Sequence, residues 1–512
     1  MAVSRRTFVR TAAATGAGLV IVPRHVLGRG FQAPSDLVNF ATCGIGGMGR
    51  VNTRNAASHN FVAACDVDAR LMETSLANYT LDLARERRSL EEASANGETE
   101  RAERLAHVIA DIERIETIHK PRLKTYADYR VMLEQQVDID AVIIATPDHM
   151  HAPIAMAAMQ AGKHVYVQKP LCWSVAEARQ LAKMSADNPR LVTQMGNQGH
   201  SADGARLGIE YLRAGAIGDV SEVHVWTNRP LAYWPQGLPR PKAPSPMDPS
   251  QPPRWNGRAI DQRLAEAMGT YVVPAGLDWN LFLGVAPEVE YHPVYHPFNW
   301  RGWVDWGGGA LGDMGAHLVD HPFWALDLDP PTSIETVSTP FNGVSYPDAT
   351  KTYYEFPAKG SRPAVRMTWY DGDLRPATPA EIGDDQLNRE GGILYIGSKG
   401  KLLCDTYGLN PRLLPASLHE ATPVPAPTLP RVPGGMNGHE RNWLEAIQGR
   451  QQISCPISFA APLTEVMLLG VVALRAGTKI YYDGAAMRIT NTSGPGGPAF
   501  NDLLTREYRT GW

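Results

Sequence analysis

The chain has 512 residues, 44% of them apolar and 20% charged, which is enough to bury large cores without disulfide or metal staples and to form about three ordinary domains or two large ones. Its 49 Lys and Arg stand against 53 Asp and Glu, a net charge of -4, so the basic excess that a nucleic-acid binder needs is missing. The 5 cysteines, Cys43, Cys65, Cys172, Cys404 and Cys455, contain no C-x-x-C pair, which excludes a disulfide framework or zinc ribbon and leaves them as small buried hydrophobes.

Ser4-Arg5-Arg6-Thr7-Phe8-Val9 precede an uncharged run of small and apolar residues from Thr11 to Val22, followed by Pro23-Arg24-His25. Residues 1–34 resemble a twin-arginine export signal, which implies the twin-arginine export machinery as a partner and a periplasmic or secreted location. The apolar run is shorter than the ~20 residues of a spanning helix, so a permanent anchor is the weaker reading. Val26-Leu27-Gly28 is the nearest small-residue candidate for cleavage. Because this route carries folded proteins, it suits an enzyme that takes up its cofactor inside the cell and keeps it outside.

Leu37 to Cys43 reads as a short buried strand and leads into Gly44-Ile45-Gly46-Gly47-Met48-Gly49, a complete G-x-G-x-x-G. A helix-compatible stretch follows, then a second apolar run, Phe61 to Cys65, ending at Asp66, about 20 residues beyond the glycines as a dinucleotide fingerprint requires. Gly44 permits the tight turn, Gly46 lets a pyrophosphate approach, and Gly49 allows close packing of helix on strand. The Asp66 carboxylate would accept ribose hydroxyls and repel a 2′-phosphate, favouring NAD over NADP, although Arg50 and Arg54 leave NADP open.

Between Leu81 and Lys120 the two charge signs are interspersed, and the stretch reads as an inserted helical hairpin turning at Asn96-Gly97 with a solvated face. Further strands follow at 138–145, 164–167 and 191–197. The first of them ends in Thr146-Pro147 with His151 at a helix start, and the second in Gln168-Lys169-Pro170. Ligands in such sheets sit beyond the carboxyl ends of the strands.

These motifs, in this order, resemble the glucose-fructose oxidoreductase, inositol dehydrogenase and MocA (Gfo/Idh/MocA) family. Gly307 to His317, a glycine run entering a helix that bears Asp313 and His317, is similar to its second signature. Ile396 to Leu402 is similar to its late hairpin, and His439 to Gly449 to its returning helix. The resemblance implies an α/β protein with a Rossmann NAD-binding domain over 35–198. It implies a second, α+β domain over 199–512 with an open, mostly antiparallel sheet that binds substrate and joins subunits into a homo-oligomer. One departure is Gln168, where the family usually has Glu; it removes a charge beside Lys169 and is expected to lower the pKa of that ammonium.

Oxidising a secondary alcohol needs a base for the hydroxyl proton and a cation near the developing alkoxide. Lys169 at a strand end suits either need. Asp313 and His317, four apart, share a helix face, a spacing that by itself suits an ordinary surface contact. The resemblance assigns Lys169 to catalysis, His317 to acid–base work and Asp313 to orienting it or accepting a substrate hydroxyl. It also places Gly44 to Gly49, Asp66, Thr146, Pro147, His151, Gln168 and Lys169 around the cofactor.

His321 continues the stripe of Asp313 and His317 and is a candidate substrate contact; a zinc site built on the three is the weaker reading. Eight of the 12 tryptophans lie between Trp226 and Trp324. Among these Trp234, Trp300 and Trp303 are candidates for stacking on sugar rings, with burial as the alternative. Pro230 to Pro253 reads as an ordered loop or lid.

The leading expectation is an exported, NAD-retaining oxidoreductase acting on a sugar, cyclitol or glycoside hydroxyl. The alternative is an NAD-dependent glycoside hydrolase working by oxidation, elimination and re-reduction, and a third reading is a carbohydrate-binding protein without turnover.

Overall fold

The computed structural model describes residues 36–230, 233–236, 240, 269, 271–491 and 499–512. The export motif and Trp255 lie outside these residues, as does most of the 230–253 loop. Asn39–Trp512 form one compact unit that contains both sheets.

The first sheet has six parallel strands in the order β3-β2-β1-β4-β5-β6: β1 Asn39–Cys43, β2 Asn60–Cys65, β3 Lys124–Tyr126, β4 Ala141–Ile144, β5 His164–Gln168 and β6 Thr193–Gly196. All four residues of β4 are buried, as expected of a central parallel strand covered on both faces. Helix α1 (Gly47–Asn55) links β1 to β2. The order reverses between β1 and β4, and this switch point opens a crevice at the strands' carboxyl ends.

The charged hairpin begins earlier than its charge pattern indicates, at Ala69 and not Leu81. Asp68 caps α2 (Ala69–Ala95) by accepting the N–H groups of Arg70 and Leu71, and mixed charge appears only farther along, where that helix leaves the body. Gly97, at φ +72°, turns the chain into α3 (Thr99–Arg114). Helices α4 (His151–Gln160) and α5 (Val175–Asp187) complete the crossovers between β4, β5 and β6.

The second sheet has nine strands in the order β13-β12-β11-β7-β10-β9-β8-β14-β15. In chain order these are β7 Val220–Thr227, β8 Ser333–Ser338, β9 Thr350–Phe356, β10 Val365–Tyr370, β11 Gly391–Gly397, β12 Lys401–Asp405, β13 Arg412–Leu414, β14 Ile480–Asp483 and β15 Arg488–Ile489. Among the described residues of this sheet β7 and β10 are the one parallel pair; the late hairpin is β11–β12, Ile396 facing Lys401.

Two short helices, α6 (Gly309–Leu318) and α7 (Asp320–Ala325), lie in the chain between β7 and β8. The returning helix α8 (His439–Ile447) packs on the first sheet, where the Trp443 indole donates to Val192 O at 3.2 Å. Its end precedes Gly449, which sits at φ +70°.

Helix α9 (Ile457–Ala476) is long and apolar enough to cross a membrane. Its side chains are buried against both halves of the molecule, Leu463 and Leu469 fully so, which is the composition of a central core helix. Buried Glu465 on α9 accepts Arg179 of α5 (Nη2 to Oε1, 2.6 Å) and the Tyr482 hydroxyl (2.9 Å), tying the two domains together.

Candidate active site

The carboxyl ends of β1, β2, β4 and β5 open into a cavity of about 670 Å³. Gly44, Gly46, Gly47, Met48, Asp66, Thr146, Pro147, His151, Gln168 and Lys169 line it. Ile45 does not: its side chain is buried, and its N–H donates to Asp66 Oδ2 at 3.0 Å. Gly49 sits behind the turn, where a Cβ would lie 1.7 Å from Gly44 O, whereas a Cβ on Gly46 would meet nothing within 4 Å. Gly46 precedes the first turn of α1 with no side-chain cap; the Gly49 N–H donates to Gly46 O at 2.8 Å, which leaves the Gly47 and Met48 N–H groups to face an anion. A glycine cradle at a helix N-terminus with a carboxylate beyond it fits the pyrophosphate and ribose of NAD.

Asp66 also accepts the Asp68 N–H at 3.0 Å, and burial raises its pKa to about 6 against these bonds. Arg50 pairs with Asp82 of α2, and Arg54 donates to Asn55, so both guanidiniums that had left a 2′-phosphate open are engaged by the protein.

Two segments without an assigned role in the sequence reading wall the same cavity. Helix α2 contributes Leu71, Thr74, Ser75 and Asn78; a mixed-charge sequence gives no hint of this, because only the base of the helix reaches the crevice. Segment 505–512 returns to the cavity at Trp512. The Arg509 N–H donates to Val285 O (3.1 Å), the Tyr508 hydroxyl to Glu177 (2.9 Å), and Trp512 lines the cavity beneath the Arg130 guanidinium, 4.3 Å from its ring centre.

At the inner end, Lys169 Nζ donates to Asp313 Oδ1 (2.9 Å) and to Asp313 O (2.6 Å). The Gln168 amide turns away and donates to Asn52 at 2.9 Å, so the carboxylate beside the ammonium is Asp313. Burial would raise Asp313, but the Lys169 and Arg301 charges hold it down to about 2.

His317 is buried behind Asp313 and lines neither the cofactor cavity nor the second cavity described below. Its Nδ1–H donates to Asn197 at 3.2 Å. Burial, reinforced by Lys169, pushes its pKa well below 6.5, so the ring is neutral with Nε2 as its basic nitrogen. His151 has Nδ1 2.7 Å from Pro170 O and Nε2 2.8 Å from Thr146 O. Burial lowers its pKa to about 4 against the pull of these two carbonyls, and the neutral ring that burial favours has a single N–H and donates to only one of them.

His321 does not join the site. Pro322 has no N–H to give to Leu318 O, so α6 ends and α7 restarts at Asp320. His321 Nε2 donates to His317 O at 3.1 Å and Nδ1 faces Asp320 at 3.4 Å. It belongs to a buried cluster in which His200 donates to the Asp320 carboxylate at 2.9 Å.

A second cavity of about 310 Å³ meets the first at Phe298, Arg301 and Asp313. Tyr233, Trp234 and Trp303 form its aromatic wall, the two tryptophans 5.7 Å apart. Trp300 lines the cofactor cavity instead, under the Arg301 guanidinium at 4.1 Å. Trp226, Trp279, Trp306 and Trp324 pack into cores: Trp226 lies among Tyr370 and Leu394, and Trp279 and Trp306 around Phe282.

The sequence reading missed Asn197, Arg301 and Asp148. Arg301 in Trp300-Arg301-Gly302-Trp303 was hidden by attention to the tryptophans, and Asp148 by its position between Thr146-Pro147 and His151. Asp148 Oδ2 accepts the Gly308 N–H at 3.1 Å, and burial raises its pKa from 3.8 to about 7 against the pull of Arg301 and Lys169.

The unfolded chain therefore releases this proton before the folded one, so the stability Asp148 contributes is complete below about pH 4 and falls as pH rises to 7. D148N removes this loss. Its thermal midpoint is expected to gain on the wild type between pH 4.5 and pH 8, up to an equivalent of about 4 kcal/mol; a constant difference would contradict the assignment.

Residues 38–195 match the profile described as an oxidoreductase family, NAD-binding Rossmann fold, and residues 258–356 that of an oxidoreductase family, C-terminal alpha/beta domain. Among curated relatives, Glycosyl hydrolase family 109 protein 1 of Shewanella sp. (strain MR-4) is 31% identical over 113 residues, 21% of this chain and 24% of that protein. Levoglucosan dehydrogenase of Pseudarthrobacter phenanthrenivorans is 34% identical over 94 residues, 18% of this chain and 24% of that one. The chain spans about a quarter of the length of these relatives. The fold is similar to that of the WlbA dehydrogenase from Bordetella pertussis, crystallised with NADH and UDP-GlcNAcA, at a TM-score of 0.51 and 15% identity over 87% of this chain and 99% of that one.

Proposed function

Since the chain carries in succession both domains of the Gfo/Idh/MocA oxidoreductase family, we propose that it oxidises a hydroxyl of a sugar, cyclitol or glycoside, with NAD held tightly between turnovers. The observation that carries this reading is Lys169 ion-paired to Asp313 where the cofactor cavity meets an aromatic second cavity. NAD, when bound, supplies the hydride acceptor. Lys169 would donate a hydrogen bond to the carbinol oxygen and stabilise its developing charge, Asp313, which lines both cavities, would hold the ammonium and orient the hydroxyl, and the proton would pass by way of Asp313 to the neutral His317 behind it.

Tight retention is supported by Trp512, which segment 505–512 brings to the cavity wall. Removing those residues is expected to speed NAD release at least tenfold, measured by competition with a nucleotide analogue, while the far-ultraviolet spectrum is unchanged. Unaltered release would remove this support. We also propose export through Ser4-Arg5-Arg6, tested by fractionating cells that express the R5K/R6K variant, and self-association through the second sheet, tested by sedimentation.

A second reading, cleavage of a glycoside without net redox change, draws on the similarity to glycosyl hydrolase family 109 proteins. One experiment separates the two. Protein purified without added nucleotide is mixed with sugars and glycosides while absorbance at the reduced-nicotinamide band and product release are followed. Reduction that persists until a carbonyl substrate is added is the expected result. Glycoside cleavage without net reduction would favour the second reading.

A further inference from the structure

Among the residues lining the second cavity the charged side chains are Arg229, Arg301 and Asp313. Asp313 is already matched by Lys169 at 2.9 Å and lies 3.7 Å from Arg301. Arg240, which stacks on Trp303 at 5.2 Å, is paired with Asp305 at 2.7 Å. Arg229 is different: its guanidinium is exposed, lines the cavity, and has no ion pair or hydrogen-bond acceptor among the described residues. Its charge reaches Tyr407, whose ring packs edge-on to His317 at 4.8 Å. Glu390 also acts on Tyr407 but lies beyond ion-pair distance of Arg229.

Among the described residues the second cavity therefore holds two guanidiniums and a single carboxylate that an ammonium has already neutralised. A neutral sugar would leave this excess positive charge unmatched beside the reacting hydroxyl. A carboxylate would accept the planar forks of both arginines. Arg301 is held in place for this by its stacking on Trp300 and Phe298 at 4.1 and 4.6 Å and its bond to Phe298 O at 3.2 Å. Trp234 and Tyr233, both half-buried, supply flat apolar faces for the ring carrying that carboxylate, and fully buried Trp303 backs Trp234.

We infer that the substrate is an acidic sugar, a uronate or uronate glycoside, whose carboxylate is bound by Arg229 and Arg301 while its ring lies on the Trp234 face. The inference rests on the hydride-transfer reading and narrows it to a substrate class. Arg229 is the specificity determinant, because Arg301 also serves Asp313.

The test uses the NAD-loaded full chain. D-glucuronate, D-galacturonate and their methyl glycosides are each compared with the methyl ester and the neutral parent, by reduced-nicotinamide absorbance and by calorimetric binding, in wild type, R229Q and R229K. At least one acid is expected to exceed its ester and its parent in kcat/KM or affinity by 10-fold or more. R229Q should reduce that preference about 10- to 100-fold, through KM, and R229K by less. Esters or parents that equal the acids, or a preference that R229Q leaves intact, would overturn the inference. If no compound reduces the cofactor, the hydride-transfer reading fails; an acid preference in binding that depends on Arg229 would still uphold the carboxylate site.

Discussion

K169M is expected to lower kcat on the preferred hydroxyl about 10²- to 10⁴-fold while NAD remains bound, the range for losing a proton-transfer partner or a preorganised charge at the reacting atom. Methionine keeps the length of the stem and removes the ammonium that joins Asp313 to the junction of the two cavities. Because Asp313 would then lose the stronger of the two cations that hold it near 2, its pKa should rise. K169M should therefore also acquire a new acid-side inflection in its residual rate. A K169M protein that turns over at the wild-type rate would move the chemistry away from this junction. Equal loss in K169M and in a form depleted of NAD would show only that the cofactor had gone, so bound nicotinamide has to be measured in the same samples.

The second large effect concerns the glycine turn, where two substitutions separate folding from binding. In G49A the new Cβ would sit 1.7 Å from Gly44 O. Backbone and helix would have to shift, so both thermal stability and NAD affinity are expected to fall. In G46V the side chain enters space with no protein atom within 4 Å of its Cβ, at a backbone angle of φ -75° that valine accepts. G46V should keep its thermal midpoint without nucleotide and weaken NAD at least 100-fold, about 3 kcal/mol, as measured by calorimetry. If G46V bound NAD as tightly as the wild type, the pyrophosphate would not lie against this turn.

Local pattern was sufficient wherever a residue's role is fixed by its own stretch of chain. The glycine fingerprint, Asp66 at the end of β2 and the buried strand β4 are each visible within a few residues, because turn geometry and strand burial are short-range properties. The hairpin start was misplaced because Asp68 caps α2 well before the mixed charges appear. The helical stripe through Asp313 and His317 extended falsely to His321, since the spacing rule carries no notice of Pro322 breaking the backbone ladder.

Sequence alone determined the dinucleotide-binding turn, the strand–helix alternation and the chemical types of Lys169, Asp313 and His317, because periodicity, glycine sterics and side-chain chemistry are written residue by residue. Tertiary structure decided what those groups face. It set Lys169 on Asp313 across 144 positions of sequence, put His317 behind that pair on Asn197, and turned Gln168 toward Asn52. It brought α2 and Trp512 to the cofactor cavity and, among the described residues, left Arg229 without a counter-charge beside Trp234 and Trp303. Those outcomes depend on through-space electrostatics and on the packing of two sheets around α9, and contacts between segments hundreds of residues apart leave no periodic trace in the chain.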